Sequence, residues 1–338
     1  MNVNVATPTQ AVRSSKKYFF VGLNTGFVFD KHPDQRCVDF YSARSGHGLH
    51  CAIVGNVTVP GGAGPNPNTA EISGHPTWCR LAESINNQGA VAGIQLGTVW
   101  PSYIGMRNFV SRESAKEINR CRDLVRSVGL KDAESLFQAI EHGSDLAIHA
   151  GFRHIQLHAA HGYLINLLTD QRIFPDANVA IEAIADWAKR CAVRGVETSV
   201  RVSLRTGDAA FDSLAQTYID EITALPVDYF DLSSGFYSID KRLIYPTLPL
   251  IVERRHEDSI AVARRFGSRQ FIFSGKSMTA DEADLPSNLH TGICRDLIAN
   301  PNYLHDKTGG CISSMKCHYY SRSQSHLRCG RWEKLKGF

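Results

Sequence analysis

The sequence lacks long apolar runs and has little excess of positive over negative charge. These two absences argue against a membrane-spanning protein and against a nucleic-acid-binding protein. No stretch of roughly 18 consecutive apolar residues occurs, so no transmembrane helix is predicted. The first twenty residues contain no apolar signal core, which favours a cytoplasmic location. The formal net charge of +4 is too small to indicate a nucleic-acid-binding surface. We therefore expect neither a membrane nor a nucleic acid as a partner.

The sequence also lacks the paired cysteines of a secreted scaffold. Its nine cysteines are odd in number and are scattered between Cys37 and Cys329. Without a secretory signal, such a set indicates reduced thiols rather than a disulfide framework. A hydrophobic content of 43% over 338 residues is typical of a globular chain, with room for one large barrel or two ordinary domains.

Eight short apolar runs alternate with amphipathic, helix-like stretches. The runs occupy residues 18–23, 49–54, 90–96, 153–158, 198–204, 227–233, 270–274 and 291–294. Strands that alternate with helices favour parallel β-structure, and eight such units in this length fit a (β/α)8 barrel better than an open sheet. We predict an α/β fold of the TIM-barrel class over residues 1–304. A tail rich in Cys and Arg, residues 305–338, is expected to pack on the barrel or on a partner subunit.

Polar and apolar side chains alternate along three of the predicted strands. Gln95, His158 and Arg201 lie near the carboxyl ends of their strands, on the face opposite the apolar side chains. In a barrel that face points inward, where a polar side chain is costly unless it is paired or contacts a ligand. Active sites of such barrels are built at the carboxyl rim, so we predict a site there. His154, lower on the same strand as His158, is interpreted as structural.

Two segments are interpreted as loops. Residues 97–131 contain seven Lys and Arg against three Asp and Glu, a net charge of +4 that equals the total for the chain. Loops of that length are usually functional or disordered, so this one is a solvated surface, a lid, or a contact with substrate or another subunit. The stretch GGAGPNP, residues 61–67, lacks the Lys-Ser/Thr ending of a phosphate-binding P-loop and indicates an ordinary loop.

The stretch HAAHGY, residues 158–163, resembles the old yellow enzyme family of FMN-dependent oxidoreductases. Weaker matches follow in register with the barrel units: VGLNTGF (21–27), IVGNVTV (53–59), GIQLG (93–97), VRVS (200–203), DLSSG (231–235), FSGKSMTADEAD (273–284) and CRDLIANPNYL (294–304). Their order and spacing make the set specific although each piece is weak alone. The resemblance implies FMN held at the barrel mouth and NAD(P)H as the electron donor.

The resemblance also implies which residues hold the cofactor. Gln95 would hydrogen-bond the flavin pyrimidine, because an amide both donates and accepts. Arg201 would lie near N1 and the C2 carbonyl, where a positive charge stabilises reduced, anionic flavin. The residues expected around the phosphate are Gly275, Lys276, Cys294 and Arg295. Those expected along the isoalloxazine edge are Leu23, Asn24 and Asn56.

Three further residues are catalytic by the same resemblance. His158 and His161 would donate hydrogen bonds to a substrate oxygen, usually a carbonyl, and so polarise a conjugated C=C bond for hydride transfer from flavin N5. Tyr163 would deliver a proton to the α-carbon, because a phenol is a donor at neutral pH and can be re-protonated from solvent. The implied enzyme acts on a small conjugated, enone-like or oxidisable substrate, for which a specialised biosynthetic pathway is one context.

Departures from the family pattern leave other functions open. LGTVWPS replaces the usual turn after the third-strand glutamine, TDQRIFPDAN shortens the loop after the fourth strand, and Asn56 stands where a small residue is usual. These changes remodel the substrate pocket, to which Trp100, Tyr103 and Tyr237 are expected to add aromatic walls. The oxidative direction, as in a desaturase or amine dehydrogenase, therefore stays open. A flavin-free lyase or isomerase is the alternative from another class.

Three cysteines follow the predicted barrel: Cys311, Cys317 and Cys329. Larger relatives carry an iron–sulfur cluster on four closely spaced cysteines at this place, but here Ser313 and Ser314 occupy the middle of the pattern. Because a cluster usually needs four good ligands, we expect no metal, and a zinc site with His318 or His326 is an equally weak alternative. The favoured interpretation is a lid or a dimer contact, and a homodimer or higher homo-oligomer stays possible.

Overall fold

Eight parallel strands close into a barrel in this computed structural model, which describes residues 16–103 and 109–335. Each strand pairs with its neighbours in the chain, and the first strand closes the barrel against the last. In chain order the barrel strands are β1 Tyr18–Phe20, β2 Cys51–Thr58, β3 Val91–Gly97, β4 His154–Ala159, β5 Glu197–Ser203, β6 Tyr229–Ser233, β7 Gln270–Phe273 and β8 Leu289–Ile293. The prediction of a TIM barrel is confirmed.

Helices cover the outside of the barrel. They are α1 Gln35–Ser42, α2 Thr77–Asn86, α3 Ser114–His149, α4 Leu164–Leu168, α5 Ala177–Val193, α6 Ala209–Asp212, α7 Ala215–Thr223, α8 Lys241–Ile244, α9 Pro249–Arg265, α10 Arg295–Ala299 and α11 Gly330–Leu335. A small hairpin pairs Val28–Phe29 with His32–Pro33, and 3₁₀ turns span Ser277–Thr279, Glu282–Asp284 and Tyr320–Arg322. Within residues 16–103 and 109–335, no helix has both the length and the apolar composition that crossing a bilayer requires.

Two separate apolar clusters hold the barrel together. The larger cluster packs the outward side chains of the strands, such as Ile94, Ile155 and Val200, against the helices. The smaller cluster comes from the alternate, inward positions of four strands: Phe19, Val21, Cys51, Ile53, Tyr229 and Ile272. Strands β3 to β5 turn polar side chains inward instead. The interior therefore combines a polar set from β3 to β5 with an apolar cluster from β1, β2, β6 and β7.

The predicted long loop over residues 97–131 is wrong in its second half. Helix α3 begins at Ser114 and continues to His149, with a break at Gly129, whose φ is 68°. Ile118, Cys121 and Val125 recur at intervals of three and four residues and are buried, so the first part of α3 is amphipathic. This apolar stripe outweighed the basic composition of the segment. Part of the predicted loop, residues 104–108, lies outside the described residues.

The C-terminal tail lies against the barrel mouth. The backbone N–H of Leu327 donates to the carbonyl of Thr25 over 2.7 Å. The Tyr319 hydroxyl donates to Oδ1 of Asn24 over 3.0 Å. Farther along, the indole N–H of Trp332 donates to the carbonyl of Ile298 over 3.0 Å. These bonds make the tail part of the wall around the carboxyl ends of the strands.

Candidate functional site

A cavity of about 1020 Å³ opens at the carboxyl ends of the strands. Eleven of the twelve predicted site residues line it: Leu23, Asn24, Asn56, Gln95, His158, His161, Tyr163, Arg201, Gly275, Cys294 and Arg295. Lys276 is the exception, because it is not among the lining residues. It adopts a left-handed backbone conformation with φ at 66°, directly before the 3₁₀ turn Ser277–Thr279. Eleven predicted residues therefore share one cavity, and the assignment of each to a cofactor or a substrate stays a prediction.

Strand register brings the polar lining residues together. His158 on β4 lies directly opposite Arg201 on β5, and Arg201 lies opposite Asp231 on β6. Gly97, at the end of β3, leaves the space that these groups need, since an added Cβ would lie 2.9 Å from both Asn56 Oδ1 and His158 Cβ. The absence of a side chain at this position therefore allows the polar groups to converge.

Arg201 brings a positive charge into the barrel. Its Nη1 lies 3.4 Å from Oδ2 of Asp231, which is completely buried, while its Nε has no partner. Burial raises the pKa of Asp231, and the charges of Arg201 and Arg255 oppose that shift. Arg255 on α9 is a second buried cation, and burial lowers its pKa to about 9. The ion pair leaves Arg201 free to offer Nε to a ligand.

An anion can be held at the other end of the cavity. Arg295, the first residue of α10, donates from Nη2 to the carbonyl of Pro246 over 2.7 Å, and its buried Nη1 has no partner. Gly275 has a φ of 88°, and an added Cβ would lie 3.0 Å from Pro246 Cγ. Burial raises the pKa of the neighbouring Cys294 thiol to about 12, so this group is neutral at pH 7. A cation and a close backbone approach at one point suit a phosphate.

The two histidines are neutral hydrogen-bonding groups. Burial and the charge of Arg201 lower the pKa of His158 to about 3, and the same causes place that of His161 well below its usual value. His161 Nε2 lies 2.6 Å from the Ser233 hydroxyl, and both Nδ1 atoms are buried without a partner. If Ser233 donates to Nε2, the neutral ring of His161 carries its proton on Nδ1 and can donate it to a ligand.

Tyr163 stands at the centre of an aromatic wall. Its ring stacks on His158, with centroids 4.6 Å apart, and on Tyr237, with centroids 5.3 Å apart. The edge of Tyr103 completes the group, and the Tyr237 and Tyr245 hydroxyls lie 2.7 Å apart. Burial raises the pKa of Tyr163 well above its usual value, so its phenol keeps its proton at neutral pH. Such a group can act as a proton donor.

Two predicted asparagines differ in how their amides are used. Asn24 donates to Thr69 Oγ1 over 2.9 Å and accepts from the Gly26 N–H and the Tyr319 hydroxyl. Its side chain thus joins the first loop to the tail, which is a structural role that the sequence did not suggest. The amide of Asn56 is buried and neither of its polar atoms has a partner. Asn56 is therefore available to a ligand, and Asn24 is largely committed.

Sequence reasoning missed the walls that come from distant parts of the chain. The additional lining residues include Pro65, Asn66, Lys241, Tyr245, His318 and Tyr319. The loop at 61–67, interpreted as ordinary, thus contributes to the site. Of the three aromatic residues expected in the cavity wall, Tyr103 and Tyr237 line the cavity. Trp100 does not line it and packs behind Tyr103, with ring centroids 4.9 Å apart. Only the interpretation of the tail as a lid indicated that tail residues such as His318 and Tyr319 would reach the cavity.

The three tail cysteines line a much smaller space that adjoins the cavity and shares Arg295, Ile298 and Cys317 with it. Cys311, Cys317 and Cys329 line about 10 Å³ together with residues 312–315. The Cys311 sulfur accepts from the backbone N–H of Ser313 over 3.3 Å. Within the described residues, no group of three or more His, Cys, Asp or Glu side chains is arranged to hold a metal ion.

The cavity fits FMN on two observations. Buried polar atoms are normally paired, yet unpaired ones lie at several points of this cavity: Asn56 Oδ1 and Nδ2, His158 Nδ1, His161 Nδ1, Arg201 Nε and Arg295 Nη1. The volume also suffices for a cofactor together with a substrate, since ligand pockets commonly span roughly 300–1,000 Å³. The hydrogen-bond donors and the Asn56 amide at one end of the cavity match a planar heterocycle. The Arg295 cation at the other end matches a phosphate.

Comparisons with known proteins agree with this chemistry. Residues 27–173 match the NADH:flavin oxidoreductase / NADH oxidase family. A probable NADH-dependent flavin oxidoreductase of Bacillus subtilis, YqiG, is 30% identical over 122 residues, which cover 35% of this chain and 32% of that protein. An NADPH dehydrogenase of Geobacillus thermodenitrificans is 36% identical over 90 residues, which cover 25% of each chain. The matched segments thus span only a third and a quarter of those relatives.

Solved structures share the fold at low sequence identity. An old yellow enzyme homologue of Zymomonas mobilis superposes with a TM-score of 0.61 at 15% identity, covering 87% of this chain and 89% of that one. Histamine dehydrogenase of Rhizobium sp. 4-9 gives 0.66 at 16% identity, over 93% and 50%. The 6-hydroxypseudooxynicotine amine oxidase HisD of Pseudomonas geniculata gives 0.69 at 16% identity, over 96% and 53%. This chain therefore spans about half of the two longer proteins.

The neutral state of the histidines has a consequence for stability. Histidine in an unfolded chain has a pKa near 6.5, whereas His158 and His161 bind protons in the folded state only far below that. Their contribution to stability is complete above pH 6.5 and is lost as the pH falls below it, toward about 3 in the case of His158, by at most about 1.4 kcal/mol per pH unit for each. Urea unfolding of the wild type should show this loss between pH 6.5 and pH 5. His158→Gln combined with His161→Gln should reduce the slope, and an unchanged slope would contradict neutral histidines.

Proposed function

We propose that this chain, whose residues 27–173 match the NADH:flavin oxidoreductase / NADH oxidase family, is an FMN-dependent oxidoreductase of the old yellow enzyme type. Its substrate is a small conjugated carbonyl compound, and NAD(P)H supplies the electrons. One observation carries the proposal: Gln95, Arg201 and the histidine pair line the same cavity, and several of their buried polar atoms have no partner in the protein.

The cofactor's binding groups are distributed along the cavity. Arg295 and the backbone around Gly275 suit the phosphate, while Arg201 and Gln95 suit the polar edge of the ring system. Asn56 adds an amide with both polar atoms unpaired. Held by these residues, FMN would supply hydride-transfer chemistry between NAD(P)H and the substrate. Arg201 supplies a fixed positive charge to stabilise the reduced, anionic cofactor.

The histidine pair is suited to activating a carbonyl group. His158 and His161 lie 5.2 Å apart between ring centroids, and both are held neutral by burial and by Arg201. Each neutral ring can donate one N–H to a substrate oxygen on which negative charge develops. Tyr163, stacked on His158, keeps its phenol proton and can deliver it to the substrate carbon next to the carbonyl.

The charge of the cavity favours reduction over amine oxidation. Arg201, Lys241 and Arg295 line the cavity, and no Asp or Glu occurs among its lining residues in the described part of the chain. Asp231 lies 3.4 Å from Arg201 and offsets its charge, so Lys241 and Arg295 supply the positive surplus. A positive site stabilises an enolate and repels an ammonium ion. The two amine-oxidising structural neighbours resemble this chain in fold, but the charges here favour an oxygen anion.

The proposal is tested by the colour and reactivity of the purified protein. The protein should be yellow and should release FMN on denaturation, because the cavity retains every predicted type of flavin-binding group. NADH or NADPH added without oxygen should bleach the visible flavin bands, and an enone such as 2-cyclohexenone should restore them. A colourless protein that does not take up added FMN would overturn the proposal. Bleaching by an amine instead of NAD(P)H would show that the reaction runs in the oxidative direction.

Removal of both histidine side chains should separate substrate binding from cofactor binding. His158→Ala combined with His161→Ala removes two hydrogen-bond donors, so affinity for a phenolate that mimics the substrate oxyanion should fall by about 100-fold. FMN content should stay roughly unchanged, because neither histidine is assigned to the cofactor. The measurement is a titration of the flavin charge-transfer absorbance with a phenol such as 4-hydroxybenzaldehyde. The matched control is His142→Ala on the exposed face of α3, and loss of FMN in the double variant would show the assignment to be wrong.

Loss of the phenol of Tyr163 should affect one half-reaction only. Tyr163→Phe keeps the ring stack but removes the proton donor, so re-oxidation of the reduced enzyme by an enone should slow by about 100-fold. Reduction by NAD(P)H does not need that proton and should be unchanged. Stopped-flow absorbance measures both rates, with Tyr303→Phe as the control outside the cavity. Equal slowing of both half-reactions would argue against Tyr163 as the acid.

A further inference from the structure

A column of polar side chains fills one side of the barrel beneath the candidate site. We propose that this column, which begins at Glu197 at the amino-terminal end of the barrel, orients the amide of Gln95 and thereby sets how FMN is bound. The members between these ends are positioning residues that do not touch the cofactor themselves. This inference rests on the proposed function, because Gln95 matters only if a flavin occupies the cavity.

The column is continuous from top to bottom. Nε2 of Gln95 donates to Oε1 of Gln156 over 2.6 Å, and Nε2 of Gln156 donates to the Ser199 hydroxyl over 3.0 Å. That hydroxyl lies 2.8 Å from His154 Nε2, and His154 Nδ1 lies 3.2 Å from Oε2 of Glu197. The four side chains above the carboxylate are at most 1% exposed. Water therefore does not compete for these bonds.

Strand register builds the column. Gln95 lies directly opposite Gln156, Gln156 lies opposite Ser199, and His154 lies opposite Glu197. His154 and Gln156 are two residues apart on β4, so both point inward. Gln95, Gln156 and Ser199 thus form one row across β3, β4 and β5. His154 and Glu197 form the next row toward the amino-terminal end of the barrel. Tyr229 and the apolar inward residues fill the other side.

The hydrogen bonds have one direction. Since Ser199 accepts from Gln156, its own hydroxyl proton is available to His154 Nε2, and the tautomer of His154 with its N–H on Nδ1 then donates to Glu197. A carboxylate only accepts, so every donor in the column points toward the base. The Nε2 atom of Gln95 consequently points away from the cavity, toward Gln156. Its Oε1 receives no hydrogen bond within the described part of the chain and is left as the acceptor for a ligand N–H, such as that of the flavin imide.

Glu197 is a stable end for such a column. Burial alone would raise the pKa of its carboxyl, but hydrogen bonds from His154 and His50 hold that pKa well below its usual range. His50 Nε2 lies 3.1 Å from Oε2, and the Lys17 ammonium lies 4.0 Å from Oε1. The carboxylate is therefore ionised at neutral pH. Its side chain is about one-third exposed, so it connects the buried column to solvent at the base.

A second interpretation is that these residues only satisfy one another inside the barrel. Another polar pair in the same barrel allows a matched comparison. His290 Nε2 lies 2.9 Å from Oε1 of Gln270, on the neighbouring strands β8 and β7. This pair is not hydrogen-bonded to Gln95. Its disruption should change stability without changing the cofactor site, whereas disruption of the column should change both.

The test compares Gln156→Met with Gln270→Met in the full chain prepared without cofactor. FMN is titrated, and affinity is followed by quenching of flavin fluorescence, while thermal unfolding reports stability. Gln156→Met should weaken FMN binding by about tenfold, as expected for loss of one well-oriented hydrogen bond, and should shift the visible absorption maxima of bound FMN. Gln270→Met should leave the FMN affinity within twofold of the wild type and the spectrum unchanged.

A milder variant covers the case in which Gln156→Met does not fold. Glu197→Gln changes a partly exposed side chain and removes the charge that orders the column, so it should weaken FMN binding about threefold and shift the spectrum in the same sense. Wild-type affinity and spectrum in every folded column variant would overturn the inference and leave the proposed function intact. Failure of the wild type itself to bind FMN would overturn both.

Discussion

The candidate site depends on the burial of one positive charge inside the barrel. Arg201 is 8% exposed and lies 3.4 Å from the fully buried Asp231 on the next strand. A buried ion pair contributes little net stability, because removing two charges from water is costly. Its effect is on the neighbours: the charge of Arg201 helps to hold His158 and His161 neutral. Uncharged hydrogen-bond donors and the Arg201 cation then lie side by side in the cavity.

The asymmetry of the barrel interior explains how such a polar site is tolerated. Phe19, Ile53 and Ile272 belong to the inward apolar cluster, which supplies hydrophobic burial beside the polar groups. The opposite side is polar but nearly every group below the cavity is paired, as in the bonds of Gln156 and Ser199. Unpaired atoms are concentrated where the strands end. The molecule thus separates the side that stabilises the barrel from the side that is free to bind.

The outer part of the cavity is built differently from its floor. Rigid strands position Gln95 and Arg201, whereas loops and the tail supply Tyr245, His318 and Tyr319. Loops change more readily than strands without loss of the fold. The floor is therefore the part suited to a cofactor, and the outer walls are the part suited to variation in the ligand that is bound. Asn24 joins the two parts through its bond to Tyr319.

Much of this could be read from local pattern. Alternating strands and helices predicted the barrel, and polar residues at strand ends, such as His158, predicted the rim on which the site lies. The family resemblance of residues 273–284, rather than a local pattern, implied Gly275 and Lys276 at the phosphate, and of the two only Gly275 lines the cavity. The amphipathic start of α3 was visible as Ile118, Cys121 and Val125 but was overlooked beneath the basic residues.

The sequence alone determined the order of the elements and the inward face of each strand, because both follow from periodicity of two or of about 3.6 residues along the chain. Only the tertiary structure decided which inward groups are paired and which stay free. Gln95 could be recognised as a site residue, but its bond to Gln156 depends on the register between two strands that are far apart in the chain. The tail's position over the cavity is likewise set by long-range contacts, such as that of Leu327 with Thr25, for which no local pattern exists.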